Sequence, residues 1–172
     1  MTEIEVKVRV EDLAALRARL LSLGAVVWKE RHFEENTLYD FRDGALAGRN
    51  EALRVRKIGR KAFLTFKGAP QKSRKFKIRT EYETEARNPR DLVRILQSLG
   101  YIPTVRYEKH RTVLRKGTLK ICLDETRAGT FVEFEGEREK IARMARTLDL
   151  PKKNWIRKSY IALLMEAGLA VK

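Results

Sequence analysis

Alternation of charged and apolar residues over the first ten positions is the feature that most constrains the fold. Glu3, Glu5, Lys7 and Arg9 alternate with apolar residues. Successive side chains of a β-strand point to opposite faces, so one face of this segment carries only charges. The same face of five later segments carries Arg54 and Arg56; Thr65 and Lys67; Lys77, Arg79, Glu81 and Glu83; Lys120, Cys122 and Asp124; and Glu133 and Glu135. The sequence therefore predicts a sheet with one apolar and one charged face.

Four segments instead have apolar residues at helical spacing. They predict helices over residues 11–23, between Asn88 and Gly100, and over 137–149 and 155–167. Such helices can cover the apolar face of a curved sheet. If six or more strands close with that face outward, the charged faces line a tunnel. We therefore expect an α+β fold and a single domain over residues 1–172.

An internal repeat supports one symmetric domain. The segment from Glu3 to Glu5, a helix and the pair Leu23-Gly24 are echoed by Glu81 to Glu83, a helix and Leu99-Gly100. Two units of this size are too few for a solenoid. We interpret them as two related halves of one structure.

The net charge points to an anionic partner. Lys and Arg number 38 against 23 Asp and Glu, which gives +15. Nucleic acid, a phosphorylated metabolite or a membrane surface would each fit that charge. The single Cys excludes an intramolecular disulfide and a zinc site built from several cysteines. We expect a cytoplasmic chain, because neither the acidic first residues nor any later apolar stretch suits a signal or membrane segment.

Carboxylates interleaved with cations narrow the choice of anion. Pairs two residues apart on one strand face suit a hard divalent cation such as Mg²⁺ or Mn²⁺. These pairs are Glu3/Glu5, Glu81/Glu83 and Glu133/Glu135. Basic groups on the same faces suit phosphate oxygens, and they are Lys7, Arg54, Arg56, Lys67, Arg79, Lys109, Arg111 and Lys120. The pattern predicts a metal–polyphosphate site, and it disfavours nucleic acid, which would not need the carboxylates.

The order of these motifs along the chain resembles a known family. The ExExK motif of residues 3–7 is followed by the segments 53–56 (LRVR), 64–68 (LTFKG), 79–83 (RTEYE), 109–111 (KHR), 123–124 (LD), 131–135 (FVEFE) and 157–160 (RKSY). This set spans nearly the whole chain. It is similar to the CYTH superfamily, the triphosphate tunnel metalloenzymes, and most of all to bacterial sequences grouped as class IV adenylyl cyclases.

The resemblance implies a fold and a set of roles. The fold would be a closed eight-stranded antiparallel β-barrel whose tunnel binds a triphosphate and one or two Mg²⁺ or Mn²⁺ ions. The implied metal ligands are Glu3, Glu5 and Glu135, with Glu133 close by and Glu81 and Glu83 near a second metal. The implied phosphate ligands are Lys7, Arg54, Arg56, Lys67, Lys109 and Arg111, with Arg79 in a further lining segment and Lys158 reaching the tunnel mouth from the last helix. Asp124 would orient a basic neighbour or a water.

Two reactions share such a site. In a cyclase the ribose 3′-hydroxyl of ATP attacks the α-phosphorus and pyrophosphate leaves, and this reaction is the one that the resemblance favours. The alternative is hydrolysis of tripolyphosphate, thiamine triphosphate or a nucleoside triphosphate. We expect Glu5, Lys7 and Asp124 to be catalytic in either case. A polyphosphate or nucleic-acid binding module without catalysis is the second alternative, and a homodimer is compatible with the family.

Two further expectations concern residues outside the tunnel. The loop from Gly68 to Lys75 carries Lys72, Arg74 and Lys75, and we hypothesise that it closes over bound phosphate as a lid. Trp28 and Trp155 are expected to pack in the core or between helices and barrel.

Overall fold

Eight antiparallel strands close into a barrel in the computed structural model, which describes residues 2–169. The strands are β1 (Thr2–Arg9), β2 (Val26–Asp40), β3 (Ala52–Ile58), β4 (Lys61–Lys67), β5 (Lys77–Ala86), β6 (Ile102–Lys116), β7 (Leu119–Thr126) and β8 (Gly129–Glu135). They follow one another in the order β5-β4-β3-β2-β6-β7-β8-β1, and pairing of β1 with β5 closes the ring. The barrel implied by the resemblance is confirmed.

Helices pack on the outside of the barrel. They are α1 (Leu13–Ser22), α2 (Ala45–Gly48), α3 (Pro89–Ser98), α4 (Arg138–Thr147) and α5 (Tyr160–Glu166), with a 3₁₀ turn at Lys152–Asn154. Three of the four predicted helices are confirmed as α1, α3 and α4. Within residues 2–169, no helix has both the length and the apolar character that crossing a membrane requires.

The fourth predicted helix, over residues 155–167, begins later than expected. Its first residues form a short ninth strand, β9 (Trp155–Ile156), which pairs with Lys7 and Val8 of β1. The helix starts only at α5, where the hydroxyl of Ser159 accepts a hydrogen bond from the backbone N–H of Ala162. Helical spacing of apolar residues did not reveal this edge-strand pairing.

The internal repeat has a structural counterpart. Gly24 and Gly100 follow α1 and α3 with φ of 83° and 89°, a conformation that glycine adopts without steric cost at a helix end. The two strands of the repeat, β1 and β5, lie side by side with Glu3 opposite Arg79. The acidic pairs of both halves therefore meet inside one barrel.

The outer apolar face is buried in two places. Beneath α1 and α4, side chains of β1, β6, β7 and β8 pack with Leu20 and Ile141, both fully buried. Beneath α2 and α3, side chains of β2, β3 and β4 pack with Leu46 and Leu96. Full burial of one such side chain stabilises the fold by about 1.5–3 kcal/mol. The helices thus hold the strands, and with them the inward side chains, in fixed register.

The two tryptophans differ in their burial. Trp155 packs against the first cluster and against Phe76, as expected. Trp28 is 63% exposed, so the expectation that it packs in the core is wrong. The guanidinium of Arg115 lies 3.9 Å from the centre of its ring, an exposed cation–π contact that leaves the indole on the surface.

The C-terminal helix narrows one end of the tunnel. Phe131, on the inward face of β8, meets Tyr160 of α5 edge to face, with ring centroids 5.5 Å apart. Leu163 buries itself in the same cluster. The segment that follows β9 therefore supplies part of the tunnel wall.

Candidate active site

The barrel encloses a cavity of about 310 Å³ lined mostly by charged side chains. Its cations are Lys7, Arg54, Arg56, Lys67, Lys77, Arg79, Lys109, Arg111 and Lys120. Its acidic side chains include Glu3, Glu5, Glu81, Glu83, Glu133 and Glu135. The structure thus brings together every predicted metal ligand and all predicted phosphate ligands except Lys158.

Strand register arranges these charges in opposite pairs. Glu5 lies opposite Lys77, and their side chains approach to 2.5 Å. Lys7 lies opposite Glu133 at 2.9 Å. Lys120 lies opposite Glu135 at 2.8 Å. Directly opposed residues on one sheet face are the nearest side-chain neighbours, so the lining neutralises much of its own charge.

The most deeply buried charges form what we call the Asp124 network, which consists of Lys7, Lys109, Arg111, Asp124, Glu133 and Tyr160. Arg111 donates two hydrogen bonds to Asp124, at 2.6 and 2.5 Å, and a third to Glu133 at 3.0 Å. Lys109 donates to Asp124 at 3.3 Å. Although burial alone would raise the pKa of Asp124, Arg111 and Lys109 hold it below its usual range. The Asp124 carboxylate is fully buried and holds Arg111 and Lys109 in place.

Tyr160 completes this network from α5. Its hydroxyl donates a 2.5 Å hydrogen bond to Asp124, and burial together with that carboxylate raises its pKa well above the usual value. Its ring lies 4.1 Å from the ammonium of Lys7 and 4.8 Å from that of Lys109. A neutral phenol therefore links the last helix to the barrel cations.

A second set, which we call the Glu3 group, is more accessible, and it consists of Glu3, Arg54, Lys67, Arg79, Glu81 and Glu83. Lys67 bridges two carboxylates, with 2.8 Å to Glu3 and 2.6 Å to Glu81. Arg54 lies 3.7 Å from Glu83. Arg79 donates to the backbone carbonyl of Asn50. Glu83 also accepts hydrogen bonds from Arg56 at 2.8 and 3.0 Å, so this group differs from the Asp124 network in its greater exposure and not in the closeness of its pairs.

Two carboxyl groups of this group, Glu3 and Glu81, have pKa values shifted in opposite directions. Burial and a hydrogen bond with Glu81 raise the pKa of Glu3 to about 8, despite the nearby Lys67. The pKa of Glu81 falls to about 2, because the hydrogen bond from Glu3 and the charge of Lys67 outweigh its burial. Glu5 and Glu135 also raise the pKa of Glu3, so the cavity concentrates negative charge at this point.

This donor set fits a divalent cation. Carboxylate oxygens are the ligands that Mg²⁺ and Mn²⁺ prefer, and a cation would relieve the repulsion among Glu3, Glu5 and Glu135 that now favours a bound proton. Cys122 lies beside Glu133 and Glu135, but burial raises the pKa of its thiol. A neutral thiol is a poor ligand for a hard cation, which leaves the carboxylates as the donors.

Lys158 is placed differently from the prediction. It lies before α5 rather than on it, and its ammonium pairs with Glu166 at 2.5 Å on the protein surface. Only its backbone carbonyl approaches the tunnel, where it accepts a 3.5 Å hydrogen bond from Lys7. The late start of α5 turns the side chain away from the cavity.

Lys77, Tyr107 and Tyr160 line the cavity but were missed as site residues by sequence reasoning. Glu34 and Asn36 were missed as well; they lie on the inward face of β2, opposite Lys109 and Tyr107, without lining the cavity. Lys77 shares the strand face of Arg79, so parity alone could have included it. Glu34 and Asn36 lie on β2, whose register against β6 shifts between Lys29 and His32. Beyond that shift the register is unbroken from His32 to Leu38, but the neighbours Glu35 and Thr37 on the other face are also polar, so this segment lacks the alternation of charged and apolar residues seen in the other strands. Tyr160 could not be found from strand parity, because it enters from a helix.

Comparison with known proteins extends over nearly the whole chain. The CYTH domain model matches residues 1–160. A protein of Methanocaldococcus jannaschii named putative adenylate cyclase is 29% identical over 176 residues, which cover 95% of this chain and 98% of that protein. The match to the family model covers far more than half of the chain.

Solved structures share the fold. One named a putative adenylate cyclase, from Vibrio parahaemolyticus, has a TM-score of 0.82 at 22% identity and covers 96% of this chain and 98% of its own. Another, a putative adenylyl cyclase from Hippeastrum described as revealing a dominant triphosphatase activity, has a TM-score of 0.68 at 22% identity, with 96% of each chain covered. Together with the ordered tunnel residues, the family match leads to one conclusion: the chain belongs to the CYTH domain family.

Proposed function

We propose that the protein is a metal-dependent enzyme that acts on the triphosphate chain of a small molecule inside the barrel. The observation that carries this proposal is the cavity lining, in which nine cations alternate with carboxylates around a space of about 310 Å³. Small-molecule sites begin at about this volume. A surface for nucleic acid would instead present its cations outward.

The accessible cations bind the phosphate oxygens in this proposal. Arg54, Lys67 and Arg79 face the cavity, and Lys67 already bridges two carboxylates that a metal ion would engage. Arg offers a fork for two phosphate oxygens, and Lys offers a point charge. These side chains would neutralise the charge of the triphosphate and fix its orientation, which is the main source of catalysis in phosphoryl chemistry.

A divalent cation would be held by Glu3, Glu5 and Glu135. When bound, it supplies charge neutralisation for the phosphate oxygens. Glu5 is held by Lys77, and Lys7 by Glu133, so both are ordered before a ligand arrives. Asp124 acts as a positioning residue in this proposal, because it is fully buried and reaches the cavity through Arg111, Lys109 and Tyr160.

The first reaction we propose is conversion of ATP to cyclic AMP and pyrophosphate. Its support is the name of the archaeal relative, which matches over 95% of this chain. Hydrolysis of a triphosphate is the second candidate. It is favoured by the predominance of charge in the lining, since a phosphate chain alone could use most of these groups, and by the activity described for the Hippeastrum protein.

Phosphorus NMR of the reaction mixture tests both. Purified protein is incubated with ATP or with tripolyphosphate, each with Mg²⁺ or Mn²⁺, and the phosphorus products are resolved. Cyclic AMP with pyrophosphate supports the cyclase, whereas free phosphate without cyclic AMP supports the hydrolase. Absence of any metal-dependent product would contradict the proposal.

Two glutamate variants separate the enzyme from a binding module. Glu5→Gln removes a tunnel carboxylate, and Glu139→Gln removes an exposed one on α4. We expect metal-dependent turnover to be lost in the first and kept in the second. Salt-sensitive binding of DNA or RNA that Glu5→Gln leaves intact, with no turnover in the unaltered protein, would favour the module.

A further inference from the structure

A histidine and a glutamate of β2 are hydrogen-bonded to each other behind the wall of the cavity. The Nε2 of His32 lies 3.1 Å from a carboxylate oxygen of Glu34, and its Nδ1 lies 2.8 Å from the backbone carbonyl oxygen of Glu30. The side chain of His32 is 13% exposed and that of Glu34 is 1% exposed. The pair therefore links the protein surface to the buried wall of the tunnel.

Both oxygens that face the imidazole ring are acceptors. A backbone carbonyl only accepts hydrogen bonds, and so does an ionised carboxylate. Although burial raises the pKa of Glu34, the tunnel cations, first among them Lys109, lower it to about 2, so the carboxylate is ionised at neutral pH. A neutral imidazole has one N–H and an imidazolium has two, and turning the ring over would put carbon where both nitrogens lie. The doubly protonated ring is therefore the form that completes both hydrogen bonds.

Glu34 faces two cavity cations on its other side. Its oxygens lie 3.7 Å from the ammonium of Lys109 and 3.7 Å from the guanidinium of Arg56, beyond ordinary hydrogen-bond distance. Both cations line the cavity, and both donate their hydrogen bonds to other carboxylates. Among residues 2–169, the hydrogen bond that holds the Glu34 carboxylate is therefore the one from His32.

Loss of one proton from the ring would change how Glu34 interacts with these cations. While the imidazolium holds the carboxylate, the charges of Lys109 and Arg56 stay available to an anion in the cavity. Without that donor, the nearest opposite charges of Glu34 are the same two cations, and charges attract strongly where water is excluded. The carboxylate would then compete with a phosphate oxygen for them. Protonation of His32 therefore favours binding of an anion in the cavity.

The other charged groups near the pair are cations or members of ion pairs. They are Lys29 on β2, Arg54 on β3, Arg111 on β6 with its partner Asp124 on β7, and the pair of Arg31 and Glu125. Cations nearby disfavour a second proton on the ring, and an anion bound in the cavity would offset part of their charge. Anion binding and protonation thus favour each other, and such coupling is reciprocal.

We propose that His32 is a positioning residue that, as an imidazolium, acts through Glu34 to keep Arg56 and Lys109 available for the phosphate chain. This inference rests on the proposed function and adds to it a dependence on pH that originates outside the cavity. Binding of the phosphate chain should strengthen as the pH falls through the range in which histidine gains its second proton, around pH 6.5.

His32→Gln is the most direct test, because glutamine keeps a donor for Glu34 but does not take up a proton. Isothermal titration of a non-hydrolysable ATP analogue with Mg²⁺ gives the affinity at two pH values, one below and one above the histidine range. We expect His32→Gln to bind about fivefold more weakly than the unaltered protein at the lower pH, and within about twofold of it at the higher pH. The chain has two histidines, so His110→Gln, on the opposite strand face, is the matched control and should bind as the unaltered protein does.

A double-mutant cycle tests the part that Glu34 plays. In a protein that already carries Glu34→Gln, the further change His32→Gln should alter the affinity at the lower pH by less than about twofold, because the two changes remove one interaction. A fivefold loss in both backgrounds would show that His32 acts on the anion without Glu34, and would contradict the proposal.

Nuclear magnetic resonance of the imidazole ring supplies a measurement with His32 and Glu34 left in place. In His110→Gln, the histidine ring signal comes from His32 alone. We expect the midpoint of its pH titration to rise by about 0.7 pH unit when the analogue is bound, which is the same fivefold coupling measured from the side of the proton.

Two further outcomes would overturn the inference. One is an affinity ratio between the unaltered protein and His32→Gln that does not change with pH, which would give the residue a structural role only. The other is a titration midpoint of His32 that the analogue does not move. Both leave binding of the analogue by the unaltered protein intact, whereas failure of the proposed function would appear as no binding at either pH.

Discussion

The Asp124 network and the Glu3 group contain the same types of residue but serve different roles. Lys109 is 2% exposed, and Asp124 meets Arg111, Lys109 and Tyr160 at once. In the Glu3 group, Glu83 is 31% exposed, and Arg56 donates hydrogen bonds to it at 2.8 and 3.0 Å. One set is closed on itself, and the other is open toward the cavity.

The difference shows that strand parity alone does not identify a ligand site. A buried charge costs free energy unless it is paired, so a closed set of ion pairs is explained by the fold itself. In the second set, burial, a hydrogen bond with Glu81 and the nearby charges of Glu5 and Glu135 raise the pKa of Glu3, so this part of the cavity favours positive charge beside its carboxylates. In the proposed function, a metal ion would supply that charge, and its phosphate ligand would engage the cavity arginines.

The largest expected effect is on stability in the closed network. Asp124→Asn leaves Arg111 and Lys109 buried without their main counter-charge, which should lower the free energy of unfolding by about 3 kcal/mol or more. Glu83→Gln, in the open group, should cost less than about 1 kcal/mol. Urea unfolding monitored by circular dichroism measures both. Equal losses would remove the distinction between the two sets.

The stability of the protein at acid pH tests Glu34, a residue that borders both sets. Despite its burial, Lys109, Arg111 and Arg56 lower the pKa of Glu34 to about 2. A lowered pKa stabilises the folded state above the usual value of 4.5, and this contribution disappears as the pH falls from about 4.5 to 2. We expect about 3 kcal/mol to be lost in that window. In Glu34→Gln this part of the pH dependence should be absent from the unfolding free energy.

Lys67→Gln should reduce activity more than stability, whereas Asp124→Asn should mainly reduce stability. Its ammonium is accessible in the cavity, so we expect kcat/KM for the triphosphate substrate to fall about tenfold to a hundredfold, as for a lost charged hydrogen bond. Stability should change less than in Asp124→Asn, because Lys67 is 15% exposed whereas Asp124 is fully buried. Steady-state kinetics measures the loss of activity, and thermal unfolding of the same samples measures the change in stability. A large loss of stability would assign Lys67 to the closed set.

The smallest expected effect concerns the loop from Gly68 to Lys75. Lys72, Arg74 and Lys75 lie outside the barrel, and Arg157 donates a hydrogen bond to the carbonyl of Ser73. If the loop closes over bound phosphate, replacing the three cations with Ala raises KM for the triphosphate a few-fold and leaves stability unchanged. An unchanged KM would reject the lid.

Much of the barrel could be predicted from the sequence, because charged residues alternate with apolar ones along most of its strands. Glu3, Glu5 and Lys7 on β1, and Glu133 and Glu135 on β8, lie in the cavity lining as parity requires. The helix ends at Gly24 and Gly100 were equally clear. These features depend on local spacing, which one sequence displays directly.

The remaining features depend on contacts that are distant in the chain. Trp155 and Ile156 join β1 because the edge of β1 beyond its pairing with β5 is available, and no local pattern shows this. The pairing of Arg111 with Asp124 and Tyr160 arises only when β6, β7 and α5 meet. Strand parity could place the cations in the tunnel but could not show which of them are already paired with carboxylates.

In the proposed function, the anion binds inside the barrel and not on the basic surface. Isothermal titration of a non-hydrolysable ATP analogue with Mg²⁺ tests it on three proteins: the unaltered chain, Arg54→Met in the cavity, and Arg94→Met on the exposed face of α3. We predict one site per chain, binding that is about tenfold or more weaker in Arg54→Met, and no change in Arg94→Met. Binding at several sites per chain, or equal binding by all three proteins, would contradict the claim.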